Sequence, residues 1–79
     1  MAKKKTYSFS IIVAGVDPDA DNFADRFYEA GADDATVIYQ GGVPYLDFDR
    51  EARTFEDAVM SAQADILKAG ATPVQVWRH

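Results

Sequence analysis

Apolar and polar residues alternate through Tyr7-Ser8-Phe9-Ser10-Ile11, and Ile12-Val13-Ala14 continue apolar, which predicts a first strand. Gly15-Val16-Asp17-Pro18 ends it, with Asp17 placed to cap a helix and Pro18 suited to its first position. Phe23, Phe27 and Ala30, flanked by Ala20 and Ala24, recur at helical spacing, and Gly31 stops that helix. Ala35-Thr36-Val37-Ile38-Tyr39-Gln40 is β-branched and predicts a second strand. Gly41-Gly42 is a hairpin signal, and a third strand follows from Val43 to Asp49, with Pro44 confined to its start or a bulge. Thr54 with Asp57 three residues later opens a second helix. Its buried stripe is Phe55, Val59, Ala62 and Ile66, widened by Ala58, Ala69 and Leu67, and Gly70 ends it. Val74-Gln75-Val76-Trp77 is the fourth strand.

The order β-α-β-β-α-β with right-handed crossovers predicts an α+β, ferredoxin-like sandwich. Two helices of similar length would cover one face of a four-stranded antiparallel sheet of order 4-1-3-2. Strand alternation then assigns faces. Tyr7, Phe9, Ile11, Val13, Leu46, Phe48, Val74 and Val76 are expected under the helices. Ser8, Ser10, Ile12, Tyr45, Asp47, Asp49, Gln75 and Trp77 are expected on the open face. The second strand fits either way, with Val37/Tyr39 or Thr36/Ile38 inward.

Length permits one domain, expected over residues 6–79, preceded by a flexible basic arm over residues 1–5. The absence of cysteine excludes disulfides and thiolate metal sites, which fits a cytoplasmic setting. No apolar run reaches the length of a membrane span, so no membrane partner is expected. The net charge is −5, and setting aside Lys3, Lys4 and Lys5 leaves 5 basic against 13 acidic residues, a net −8. Such a body repels phosphate backbones.

That charge bears on the open face. RNA-recognition domains of this fold read RNA there, with a basic and aromatic third strand. Gly41 to Phe48 imitates the spacing, but Gly41 and Val43 stand at the basic and first aromatic positions. Asp47 and Asp49 add charge of the wrong sign, so no direct nucleic-acid binding is expected. Asp47, Asp49 and Glu51 alternate on one face but lack further convergent ligands, so no metal and no cofactor are expected; the reading is an acidic solvent-facing strand paired with Arg50, Arg53 or Arg78. Asp33-Asp34 are read as bonding turn amides after Gly31. His79 is expected to fray, which leaves no nucleophile–base pair and no enzymatic activity.

Gly15 with Asp17-Pro18 resembles the strand-to-helix turn of ACT-type amino-acid sensor domains, which carry glycine where this chain has Asp19. A wider pattern comprises Tyr7 to Val13, Phe27-Tyr28-Glu29-Ala30-Gly31-Ala32-Asp33-Asp34-Ala35, Leu46-Asp47-Phe48-Asp49-Arg50-Glu51-Ala52 and Ala58-Val59-Met60-Ser61-Ala62. With it the chain resembles a group of small, largely uncharacterised bacterial ferredoxin-like domains, some fused to a C-terminal helix-turn-helix unit. No such unit is expected here. The resemblance implies a companion role beside a bacterial DNA-binding regulator. The expected function is a regulatory or protein-interaction module, self-associating as a homodimer or docking a protein partner through the open face or edge strands. The alternatives are a small-ligand, ACT-like sensor and an acidic inhibitor that mimics nucleic acid.

Overall fold

A computed structural model describes residues 3–79. Its elements are β1 (Lys5–Ala14), α1 (Phe23–Glu29), β2 (Ala35–Gln40), β3 (Val43–Ala52), α2 (Phe55–Lys68) and β4 (Thr72–Arg78). The fold is α+β, with one antiparallel sheet in the order β2-β3-β1-β4. This is the expected order read from the other edge. The predicted arm falls partly on Met1 and Ala2, outside the described residues. Its last residue, Lys5, opens β1 instead, because it pairs with Ala52 at the end of β3.

The inner face of the sheet holds the core. Phe9, Ile11, Val13, Leu46 and Phe48 are buried there, and Phe27 of α1 with Ala58, Ala62 and Ile66 of α2 closes over them. Complete burial of each large side chain contributes about 1.5–3 kcal/mol. The Phe9 and Phe48 rings stack at 5.2 Å, and Phe55 meets Phe9 edge-on at 5.7 Å. The alanine-rich face of α2 lets its backbone approach the sheet. The shortest dimension of the molecule is 16 Å, enough for one sheet and one helical layer.

Local signals explain most boundaries. The Thr54 hydroxyl accepts the Asp57 amide N–H at 3.1 Å and caps α2. Gly41 and Gly42 have φ of 62° and 79°, the double positive that a two-residue hairpin needs. Pro44 lies just beyond the last β1–β3 pair, Ile12 with Tyr45, so its missing N–H costs the ladder nothing there.

Four expectations are corrected. The first helix begins at Phe23, not Pro18, and spans 7 residues against 14 in α2. Asp17 caps a turn: its carboxylate accepts the Asp19 N–H at 3.0 Å, and its carbonyl accepts that of Ala20 at 3.1 Å. Asp17, Asp19, Asp21 and Asn22 all favour such local bonds over helix. Leu67 is 60% exposed and lies off the buried stripe. Val74 is likewise 60% exposed, because Ile12 pairs with Gln75 but Val13 pairs with Pro73. Val74 is therefore the extra residue of a β-bulge.

The fourth correction is Arg50, which lies under the helices at 8% exposure. It grips Asp34 with two bonds of 2.8 Å, approaches Asp65 at 2.8 Å, and donates to the Gly31 carbonyl at 3.1 Å and the Ser61 hydroxyl at 3.2 Å. The Asp34 bond is the chief cause holding this guanidinium above the ordinary arginine pKa. Asp34 thus answers a buried cation rather than turn amides. Arg50→Met strands two carboxylates beside each other. It should cost about 3 kcal/mol in urea unfolding, the low end for a broken buried pair because both carboxylates keep some water contact. Adding Asp34→Asn and Asp65→Asn should restore most of that loss; an unchanged unfolding midpoint in Arg50→Met would contradict this account.

Candidate functional site

The open face of the sheet is built by register. Ile12 pairs with Tyr45 on one side and Gln75 on the other, and Tyr45 pairs with Ile38. The next row outward is Thr36, Asp47, Ser10 and Trp77. A third row brings Ser8 beside Asp49, and the His79 N–H reaches the Ser8 carbonyl at 3.1 Å. All eight residues expected on this face share it. The second strand also resolves. Val37 pairs with Leu46 and Ala35 with Phe48, so both turn inward, while Thr36 and Ile38 turn outward. Tyr39 shares the Val37 parity yet is 52% exposed, beside the hairpin and past the helical cover.

Charge on this face is largely tied down. The Ser8 hydroxyl donates to Asp49 at 2.6 Å, and the Ser10 hydroxyl donates to Asp47. The carboxylates therefore pair with serines, not with the arginines expected from sequence. Arg50 is inside. Arg78 lies on the helical side, 4.5 Å from the Phe55 ring centroid and 5.9 Å from that of Tyr7. Among the described residues no group of three or more His, Cys, Asp or Glu side chains is placed to hold a metal ion.

His79 does not fray in this structure. Its Nε2 lies 2.7 Å from the Ser10 hydroxyl and 3.4 Å from Asp47. Serine, histidine and aspartate thus meet on the open face, a juxtaposition that sequence spacing did not reveal. The strand-end position of His79 and its parity with Trp77 were the available signals. The geometry differs from a nucleophilic triad in one decisive respect. In a triad the carboxylate orients the ring nitrogen remote from the serine. Here Asp47 and Ser10 approach the same nitrogen, and the hydroxyl donates to the carboxylate. The cluster works as a cross-strand tie joining β3, β1 and the end of β4.

A second feature lies on the helical side of β4. Phe55, Glu56, Val59, Met60, Val76 and Arg78 line an open, mainly apolar cleft of about 360 Å³. Trp77 and Met60, at 52% and 66% exposure, flank the same edge of the molecule. Compared with family models, with curated proteins and with solved structures, the chain matches none.

The Ser10–Asp47 tie has a measurable strength. Ser10 is nearly buried, whereas the Asp47 side chain keeps 44% of its exposure and can be rehydrated. Ser10→Ala should therefore cost about 1 kcal/mol. A double-mutant cycle with Asp47→Ala should show a coupling of about 0.5 kcal/mol or more in chemical unfolding. Strictly additive losses would mean the bond contributes nothing to stability.

Proposed function

We propose that this chain is a ferredoxin-like, non-enzymatic interaction module that self-associates along the uncovered sheet and its β4 margin. In this reading it serves as a regulatory companion, as the resemblance to small bacterial domains implies. The observation that carries the proposal is the apolar surface left uncovered there. Ile12, Ile38 and Tyr45 form a half-buried row across the sheet, and Trp77 stands beside them, half exposed. Aromatic side chains of this kind are enriched at protein interfaces.

The polar groups of the face favour the same reading. Asp47 and Asp49 already have hydroxyl partners, so an approaching protein surface need not neutralise two bare carboxylates. A phosphate backbone would still meet an acidic body without a basic track. That disfavours direct nucleic-acid binding.

Sedimentation equilibrium over a wide concentration range tests the proposal. The expected result is reversible association from the 8.7 kDa monomer to a dimer. Trp77→Ser should weaken it about tenfold or more, with the thermal unfolding curve retained. A monomer at every concentration would refute self-association.

A further inference from the structure

The proposed self-association leaves its geometry open, and the β4 edge supplies one. The His79 N–H points to Ser8 of β1. Backbone groups alternate sides along an antiparallel strand, so those of Trp77 and Gln75 also face β1. The N–H and C=O groups of Val76 and Arg78 therefore face away from the sheet. As β4 is an edge, no other strand among the described residues meets them. The Pro73 position and the bulge lie at the other end of the strand, so Gln75 to Arg78 is unobstructed.

Two observations select a second copy of this chain as the occupant. The first is charge. The net charge of −5 opposes approach between copies, and neither edge strand, β2 or β4, itself carries an acidic residue, so the charges beside each edge decide. The opposite edge, β2, borders a hollow that includes Asp25 of α1, with Asp33 near in sequence. Pairing through β2 would oppose like charges, whereas the β4 margin presents one Glu56 and one Arg78 per copy at the same cleft. The second is apolar surface. Met60, Leu67, Val74 and Trp77, four of the seven exposed large hydrophobics, lie on α2 or β4.

We propose that two copies join β4 to β4 in antiparallel fashion about a two-fold axis at Trp77, forming one continuous eight-stranded sheet. This deepens the self-association reading and rests on it. Val76 of each copy stands opposite Arg78 of the other, and the two exchange both backbone bonds, which satisfies the outward groups of both strands. The two Trp77 residues face each other directly on the open side. On the helical side, Arg78 of each copy lies at the mouth of the other's cleft, next to its Glu56. Each interface then contains two Arg78–Glu56 contacts between copies and covers Met60 and Val59.

A charge exchange between two single variants tests this geometry. No ion pair joins Glu56 to Arg78 within the chain among the described residues, so an electrostatic coupling between them reports on contact between copies. Arg78→Glu alone opposes Glu to Glu across the interface, and Glu56→Arg alone opposes Arg to Arg. Each should weaken self-association about tenfold or more by sedimentation. Mixing the two variants should restore association as a heterodimer, because both contacts between copies are then of opposite sign. Trp77 is the only tryptophan, so its emission should shift to the blue with association in wild type and in the mixture, but not in either variant alone. Circular dichroism confirms that each variant is folded. If wild type dimerises but the single variants dimerise equally well, the β4 pairing is wrong and self-association through the open face stands. If wild type is monomeric throughout, the self-association reading falls with it. A monomer whose Trp77 emission shifts only on adding an extended apolar peptide would assign the edge to a foreign strand and overturn the second-copy proposal.

Discussion

The buried guanidinium of Arg50 is the interaction on which the rest depends. It lies on the inner face of β3, in phase with Leu46 and Phe48, and reaches the α1–β2 turn through Asp34 and Gly31 and α2 through Ser61 and Asp65. Two segments are fixed to one strand by one side chain. Its stacking over Phe48, at 5.0 Å, lets the cation share the apolar layer. An apolar side chain of similar volume, with the acids removed, could hold the layer as well in energy. What the ion network adds is register. A one-residue slip of β3 would carry Arg50 into solvent and bring the Asp47 and Asp49 series under the helices.

That register makes the open face. Because Leu46, Phe48 and Arg50 turn inward, Tyr45, Asp47 and Asp49 must turn outward, opposite Ile12, Ser10 and Ser8. The serine–aspartate ties follow from the pairing alone. They give the two outward carboxylates of an acidic strand hydroxyl partners within the sheet, with apolar residues between them.

Period-two alternation made the central strands legible in sequence, including all eight open-face residues, because both strands bury one face against helices. Where an element is short, peripheral or bulged, that signal fails. The Asp-rich run after β1 carried cap and proline signals for a helix, but its side chains bond their own turns and delay α1 to Phe23. One bulge residue on β4 displaced Val74, since alternation counts positions and has no term for an insertion. Arg50 stands at an inward position, yet nothing local marks it as buried, because its two acids lie 16 and 15 residues away and meet it only in the folded chain. The contact of His79 with Ser10 spans almost the whole sequence and comes from the β1–β4 pairing rather than any local motif.

The two helices meet at one further point. Arg26 of α1 donates to the Ala69 carbonyl at 2.8 Å, at the negative end of the α2 dipole. The bond passes over Gly70, where an added Cβ would lie 2.5 Å from the Arg26 Nη2 and φ is +89°. A larger residue at position 70 would push the Arg26 guanidinium off the Ala69 carbonyl and would hold its own backbone in a strained, positive-φ conformation. Shortening Arg26 would open the space but leave the backbone requirement untouched. The α1–α2 contact and the entry into β4 are thus set at one residue. The angle at which the edge strand leaves α2, and with it the mouth of the cleft, is coupled to a helix on the far side of the layer.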